Sequence, residues 1–258
     1  MAQAHHHIFK RLYENPISKE EFFGFLETLK NTESQESPQT QIELLKAKGF
    51  PLYEDNDCFG LQTKNTSLHK QKFCFVDIET TGARPKEAQI IEIGAILYQD
   101  GKILDRFDEL IFAPFVPEII TQITQITTDM LTNARQAHQV LREFKEFLGD
   151  SVFVAHNVGF DYSFVSYAME SEHLGELLNP KLCTIDLARR TILSKRYSLQ
   201  YLNEFLGINT SIAHRAYADA LTALEIFKIS TLCLPHYITT TQDLIDFSKH
   251  SESKIKLR

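Results

Sequence analysis

The sequence predicts an α/β fold in which a mixed sheet is flanked by helices. Three segments with the composition and length of strands come first, at 73–78, 90–98 and 103–112, and a turn at 99–101 joins the last two into a hairpin. From residue 134 onward, helical and strand patterns alternate. Strands that come first and then alternate with helices are typical of a mixed sheet with helices on its faces.

The alternating part consists of short apolar strands separated by amphipathic helices. The predicted strands cover 152–155 and 181–184, and the predicted helices cover 134–148, 160–169, 185–193, 199–206 and the residues from Ala216 onward. Leu221, Leu224 and Phe227 in the last helix recur at helical spacing, which predicts that one of its faces is buried.

Composition limits the class of protein. A chain of 258 residues that is 43% hydrophobic can form one large domain, or a medium and a small one. The four cysteines are scattered without paired or metal-binding spacing, which favours reduced packing residues in a cytosolic protein. We expect no membrane span and no signal peptide, because no apolar run has the required length.

The first 70 residues are predicted to form a separate, winged-helix-like module. Ser18 and Glu21 have the spacing of a capping box, and a second such box at 40–43 predicts another helix. A hairpin is predicted over 52–62. The charge of the module is nearly balanced, which favours docking to a protein over binding to DNA.

Two boundaries are predicted in the rest of the chain. Residues 64–71 are interpreted as a linker to a domain at 72–235, and residues 236–258 as a short C-terminal helix or tail. Within this tail, residues 242–247 faintly resemble a clamp-binding peptide. A short helix capped by Thr240 or Thr241 is the favoured interpretation.

Two carboxylates emerge together at the end of the first predicted strand of the sheet. Asp77 and Glu79 are two residues apart, so they share one face of the strand. Close like charges repel each other, and a hard divalent cation with its preference for oxygen ligands would offset that repulsion. The alternative interpretation is an exposed, acidic strand end.

Two later segments add further acids and two histidines. His156 and Asp161 follow the apolar strand at 152–155, and His214 and Asp219 lie at the start of the last helix. Taken alone, an Asp near a helix start is a cap or a dipole partner, and a lone histidine has no implied function.

Together these motifs resemble the DEDDh exonucleases, which are named for four acidic residues and a histidine. In particular they resemble the epsilon-type (DnaQ-like) 3′–5′ proofreading exonucleases of DNA polymerase III. Asp-Ile-Glu-Thr-Thr-Gly stands at 77–82, Ala-His-Asn-x-x-Phe-Asp at 155–161 and His-Arg-Ala-x-x-Asp at 214–219. Secondary motifs match at 90–95, 123–127, 183–188 and 197–202. The resemblance implies a ribonuclease-H-like fold.

The resemblance also implies roles for the acidic residues. Asp77, Glu79 and Asp219 would hold two Mg²⁺ or Mn²⁺ ions directly, with Asp77 bridging them, and Asp161 would act through water. His214 would be the general base in hydrolysis of the terminal phosphodiester.

Substrate contacts are expected in two of the motifs. The turn Thr80, Thr81 and Gly82 would approach the terminal nucleotide closely. His156 and Phe160 would either flank the last base or simply pack, and packing is favoured.

The implied substrate is the single-stranded 3′ end of DNA, and a DNA polymerase catalytic subunit is the implied partner. The net charge of −7 predicts weak affinity for nucleic acid unless a partner delivers it. Alternatives are an RNA exonuclease similar to RNase T or oligoribonuclease, a stand-alone DNA repair exonuclease, and an inactive binding or scaffold protein.

Overall fold

The N-terminal region begins with a helix that the sequence analysis did not predict. A computed structural model describes residues 2–29, 37–210 and 215–249 of the chain. Helix α1 spans Ala2–Glu14, and the short strand β1, Ile17–Ser18, leads into helix α2, Lys19–Leu29. The Ser18 hydroxyl accepts a hydrogen bond from the Glu21 N–H at 3.2 Å, so this capping box is confirmed on the Ser18 side.

Helix α3, Pro38–Ala47, begins earlier than predicted. Its cap is Ser37, whose hydroxyl accepts a hydrogen bond from the Thr40 N–H at 3.2 Å, so the capping box placed at 40–43 was wrong. Pro38 explains the earlier start, because its fixed φ suits the first turn of a helix and it needs no N–H partner there.

A three-stranded antiparallel sheet completes the module. The predicted hairpin is confirmed as β2, Leu52–Glu54, and β3, Cys58–Leu61, and β1 pairs on the other side of β3. Phe22 and Phe59 stack at 4.2 Å in a core of the module's own. The winged-helix interpretation of this helix–strand–helix–helix–hairpin order stays a prediction.

The five-stranded sheet of the larger domain follows the short helix α4, Gln62–Asn65. Its first strands are β4, Phe73–Thr80, β5, Ile90–Gln99, and β6, Lys102–Leu110, and β5 and β6 form the predicted hairpin. The remaining elements are α5 Glu118–Thr124, α6 Thr128–Leu131, α7 Ala137–Leu148, β7 Val152–Ala155, α8 Val158–Ser171, β8 Lys181–Cys183, α9 Thr184–Thr191, α10 Leu199–Phe205, α11 Ala216–Leu232 and α12 Thr241–Lys249. Of these, α5 and α6 were not predicted.

The sheet is mixed, as the sequence predicts. Its strand order is β6-β5-β4-β7-β8, in which β4, β7 and β8 run parallel and β5 runs antiparallel to both of its neighbours. The carboxyl ends of the parallel strands therefore meet at one edge. Both Asp77 and Glu79 lie at this edge, at the end of the central strand.

Alternation along β4 directs its side chains to two different cores. Val76 and Ile78 pack on α7 and α8. Phe73 and Phe75 pack on the other face, against α9, α11 and α12. Because residues two apart share a face, Asp77 and Glu79 lie on the side of α11.

The predicted linker is packed against the last helix. The Thr63 hydroxyl donates to Gln242 Oε1 at 2.7 Å, and the Thr241 N–H donates to the Thr66 carbonyl at 2.9 Å. Thr240 caps α12, because its hydroxyl accepts the Asp243 N–H at 3.1 Å, so the capped helix is confirmed. The Leu244 side chain is fully buried, which argues against its use as a clamp-binding anchor.

The module also contacts the domain directly. The Leu178 N–H donates to the Lys48 carbonyl at 2.7 Å, and the Tyr13 hydroxyl donates to the Asp246 carboxylate at 2.9 Å. The boundaries at 70–72 and 235–236 stay predictions. In the described parts of the chain, no helix combines the length and the hydropathy that crossing a membrane requires.

Candidate active site

Three of the predicted acidic residues meet at the carboxyl edge of the sheet. Carboxylate oxygens of Asp77, Glu79 and Asp219 all lie within 4.8 Å of one another. Asp77 and Glu79 come from the end of β4, and Asp219 comes from the first turn of α11, which packs on the same face of the sheet. Residues 142 positions apart in the sequence are thereby brought together.

Burial and the mutual repulsion of the carboxylates both raise pKa values in this cluster. Burial, followed by the charges of Asp161 and Asp219, raises the pKa of Asp77 well above its usual range. Burial and the charges of Asp219 and Glu92 raise the pKa of Glu79 to about 8. Bound cations would reverse both shifts, because an opposite charge nearby favours the ionised form.

Asp161 is the most deeply buried of the four predicted acids, with 3% of its surface exposed. It lies in the first turn of α8 and accepts a hydrogen bond from the Ile78 N–H of β4. Burial raises the pKa of Asp161 to about 7, although the backbone hydrogen bonds oppose the shift. Its oxygens lie outside the group of three, which supports a contact through water rather than a direct one.

The strand-to-helix turn before Asp161 has an unusual backbone. Asn157, the first residue before α8, has a φ of 83° in the left-handed region. Asn tolerates that region better than most residues with a side chain. The turn aims the start of α8, and with it Asp161, at the end of β4.

The oxygen-rich site fits a hard divalent cation. Three carboxylates held this close repel one another, and Mg²⁺ and Mn²⁺ prefer oxygen ligands. No sulfur or imidazole ligand belongs to the group found among the described residues, so the donor set argues against a structural zinc site.

The turn after Glu79 uses its side chains internally. The Thr80 hydroxyl donates to the Gly82 carbonyl at 2.7 Å, and the Thr81 hydroxyl accepts the Gln89 N–H at 3.0 Å. A contact with the terminal nucleotide, which stays a prediction, would therefore fall mainly to the backbone of this turn.

The surroundings of His156 and Phe160 support packing roles. His156 Nε2 lies 2.8 Å from the Tyr197 carbonyl, and its Nδ1 lies 2.8 Å from the Thr184 hydroxyl. Burial lowers the pKa of His156 to about 4, so the ring is neutral and donates Nε2–H to the carbonyl. Phe160 packs on Phe164, with ring centroids 4.9 Å apart.

His214, the predicted general base, lies outside the described residues. Arg215 directly follows it in sequence and is described. Of the basic residues that the sequence places near the later motifs, Lys181 lies over the Tyr162 ring and Arg190 over the Phe247 ring, both at 4.2 Å. These two cations therefore contribute to packing of the fold.

A buried carboxylate that the sequence analysis gave no role stands beside the cluster. Glu92 on β5 is opposite Glu79 in the strand register, and 1% of its surface is exposed. Arg215 binds it, with Nε 2.9 Å and Nη2 2.5 Å from Oε1. A single charged residue inside the apolar run 90–96 is the sequence signal that could have indicated a buried ion pair.

Gly94 is a second residue of β5 to which the sequence analysis gave no role. A Cβ at Gly94 would lie 2.0 Å from the Tyr217 nitrogen, so the backbone of α11 rests directly on β5. Gly94 is also the register partner of Asp77. A glycine inside a strand signals such a close approach of another backbone.

Comparison with known proteins places this arrangement in context. Residues 74–227 match the model of the RNase_T family, which is described as Exonuclease. The epsilon subunit of DNA polymerase III from Aquifex aeolicus is 36% identical over 157 residues, which cover 60% of this chain and 78% of that protein. The PolC-type DNA polymerase III of Staphylococcus haemolyticus is 35% identical over 190 residues, 72% of this chain but 13% of the polymerase.

A solved structure supports the ribonuclease-H-like fold. Escherichia coli exonuclease I in complex with a dA16 oligonucleotide aligns with a TM-score of 0.59 at 16% identity. The alignment covers 69% of this chain and 42% of exonuclease I. The mixed sheet flanked by helices is therefore the predicted fold, whereas the N-terminal module falls outside what this likeness can test.

Proposed function

The chain belongs to the exonuclease family, and on that premise we propose that it removes nucleotides from the 3′ ends of single-stranded DNA. The observation that carries the proposal is the group formed by Asp77, Glu79 and Asp219, whose oxygens converge within 4.8 Å. Hydrolysis of a phosphodiester is favoured by positive charge at the reacting oxygens. This group of carboxylates can hold the metal cations that supply that charge.

Two Mg²⁺ or Mn²⁺ ions are the proposed cofactors. Asp77, Glu79 and Asp219 would hold them, and Asp161 would hold a water between itself and an ion. When bound, the ions supply the positive charge that favours both the attacking and the leaving oxygen.

His214 is the proposed general base. It takes a proton from the attacking water as the new P–O bond forms and the bond to the 3′ oxygen breaks, which yields a nucleoside 5′-monophosphate. The neutral imidazole is the active form, so the rate rises as the pH passes the pKa of His214. His214→Ala should lower the rate by about 10²–10⁴ while metal affinity is kept.

The test uses a single-stranded DNA oligonucleotide labelled at its 5′ end. The wild type should produce a ladder of shortening products that depends on Mg²⁺, and Asp77→Ala should slow it by at least about 10²-fold. Asp105→Ala, on the exposed side of β6, is the matched control and should cleave like the wild type. Mg²⁺-dependent cleavage that persists in Asp77→Ala would contradict the assignment, as would shortening from the 5′ end.

The same oligonucleotide made of RNA separates two substrates. The relatives named epsilon and PolC-type polymerase support DNA. We expect a higher kcat/KM on DNA than on RNA. The reverse preference would favour the RNA exonuclease alternative without affecting the assignment of the acidic residues.

We also propose association with a DNA polymerase, through the N-terminal module. The module has its own core and is nearly neutral, so phosphate neutralisation offers it little affinity for DNA. A pull-down with polymerase catalytic subunits and a DNA-shift assay, each at low and high salt, test this with the full chain and with an exonuclease-only chain. Salt-sensitive DNA binding without polymerase capture would contradict the proposal.

A further inference from the structure

Glu92 is a buried anion in a place where an additional negative charge is unfavourable. It faces Glu79 across the β4–β5 ladder, and its charge is among the causes of the raised pKa of Asp77 and Glu79. A carboxylate with 1% exposure persists there only because it is paired. The residues that pair with Glu92 show which segment it holds in place.

Both Glu92 oxygens are used by the start of α11. Oε1 accepts Nε–H and Nη2–H of Arg215, and Oε2 accepts the Ala216 N–H at 3.0 Å. Because three N–H groups of one short segment donate to its oxygens, Glu92 is poorly placed to become an additional metal ligand. Its contacts instead attach the N-terminus of α11 to strand β5.

Gly94 provides a second point of attachment two residues along the same face. The backbone at Ala216 and Tyr217 occupies the space that a side chain at Gly94 would fill. The Asp219 N–H then donates to the Arg215 carbonyl at 3.0 Å, which begins the helix. Asp219 is therefore one helical turn beyond an anchor whose position is set by β5.

The guanidinium also brings a positive charge to the acidic cluster. Arg215 opposes the rise in the pKa of Glu79 and of Asp108, so its field reaches β4 and β6 on the two sides of β5. Its side chain is 37% exposed, whereas that of Glu92 is 1% exposed. The exposed end lines an open groove with Asn133 and Arg135.

We propose that Glu92 and Arg215 form a positioning pair that sets Asp219 against Asp77 and Glu79. The pair touches neither substrate nor metal in this assignment. The inference rests on the proposed metal site.

The test measures metal affinity separately from turnover. Mn²⁺ binding is followed by electron paramagnetic resonance in the wild type, in Glu92→Gln, in Arg215→Gln and in the double variant. Each single variant should bind Mn²⁺ about 10–100-fold more weakly, since partners that orient metal ligands have effects of this size. The kcat should fall by a similar factor, while the KM for the oligonucleotide changes less than about threefold.

The double variant tests whether the two residues act as one unit. If Glu92 acts through Arg215, the double variant should resemble the worse single variant rather than the product of both effects. Arg215→Lys keeps the charge but loses the planar fork, so it should fall between the wild type and Arg215→Gln. Glu143→Gln is the matched control, because Glu143 pairs with the nearby Arg135 at the surface.

Several outcomes would decide against the pair. A lower melting temperature with unchanged Mn²⁺ affinity and kcat would show that it only stabilises the fold. If Glu92→Gln does not fold, as judged by circular dichroism, the Mn²⁺ affinity and kcat of Arg215→Gln and Arg215→Lys test the proposal on their own. A wild type that binds Mn²⁺ through Asp77 but cleaves no oligonucleotide would defeat the proposed function, whereas the affinity comparison would still test the pair.

Discussion

The carboxylates of the candidate site repel one another strongly when no metal is bound. The pKa of Glu79 is raised to about 8 and that of Asp161 to about 7, with burial as the largest cause in both. An acid whose pKa is higher in the folded than in the unfolded state binds more protons when folded. Stability therefore decreases as the pH rises from the unfolded toward the folded pKa.

This linkage predicts how the metal-free protein responds to pH. In EDTA, the melting temperature should fall as the pH rises from about 6.5 to 8, because Glu79 is ionised in the unfolded state but still binds a proton in the folded state, and the fall should level off above the folded pKa. The buried His156, with its pKa lowered to about 4, acts in the opposite direction only below about pH 6.5, where the unfolded imidazole is protonated. Calorimetry at a series of pH values measures the slope.

Excess Mg²⁺ should remove that slope, because it holds the carboxylates in their ionised form. Glu79→Gln in EDTA should also reduce the slope, since one of the titrating carboxylates is gone while Asp77 and Asp161 remain. A slope that is the same in Glu79→Gln would mean that another group titrates.

Asp77→Asn separates stability from function. Asparagine avoids both the cost of burying the Asp77 carboxylate and its repulsion from Asp161 and Asp219, so the metal-free variant should melt at a higher temperature than the wild type at pH 8. A gain of 1 kcal/mol corresponds to about 2–4 °C for a chain of this size. The same variant should lose both cleavage and the rise in melting temperature that Mg²⁺ causes.

The control for this variant is Asp105→Asn on the exposed side of β6, which should change the melting temperature little. If Asp77→Asn proves less stable than the wild type in EDTA, the buried Asp77 carboxylate does not cost the metal-free protein stability.

At the scale of elements, the contact of α11 with β5 determines the position of Asp219. Gly94→Ala places a methyl group 2.0 Å from the Tyr217 nitrogen, so the helix must shift or the sheet must bend. Overpacking of this kind costs typically about 1–3 kcal/mol. We expect a lower free energy of unfolding in urea together with weaker Mn²⁺ binding.

Gly24→Ala is the matched control. Gly24 lies inside α2 with no neighbour within 4 Å of the added Cβ. This substitution should be neutral or stabilising by up to about 1 kcal/mol, because Ala favours a helix over Gly. Equal effects of the two substitutions would show that α11 does not depend on its contact with β5.

At the scale of the whole molecule, the C-terminal helix joins the module and the domain. α12 packs on α9 and β8, and it also contacts Thr66 in the segment predicted as a linker and Thr63 just before that segment. The sequence-based hypothesis was that removal of residues 1–70 leaves hydrolysis of a short oligonucleotide nearly intact. The structure adds that this cut removes Thr63 and Thr66, which contact α12, whereas a cut after Leu61 keeps both of them and removes the contact of Tyr13 with Asp246.

Two truncations compare these boundaries. The chain that begins at Gln62 should retain the activity of the full chain within about threefold and most of its thermal stability. The chain that begins at Gln71 should melt at a lower temperature, because the Thr241 N–H and the Gln242 side chain lose their partners. Equal melting temperatures would show that the linker contacts are unimportant, and loss of hydrolysis in both would show that the module contributes to the active site.

Much of the fold was predictable because its patterns are local. The alternation along β4, the turn at 99–101 and the cap at Ser18 each depend on residues close in sequence, and the structure has all three. Local patterns also misled where two signals compete. Thr40 and Glu43 have capping-box spacing, but Ser37 before Pro38 begins the helix.

The acidic residues of the candidate site were determined by the sequence itself. Two carboxylates at i and i+2 after a buried strand must share a face, and the ordered motifs that follow place Asp161 and Asp219 at helix starts. That Asp77, Glu79 and Asp219 converge within reach of one cation follows from the packing of α11, and the parallel order of β4 and β7 brings Asp161 to the end of β4.

The supports of the site were decided by the tertiary structure alone. The pairing of Glu92 with Arg215 joins residues 123 positions apart, and the tight fit at Gly94 depends on a helix that begins 122 residues later. The packing of the linker on α12 is equally long-range. A sequence pattern specifies which face of an element is buried, but it does not specify which distant backbone covers that face, because this depends on the three-dimensional packing of complete elements.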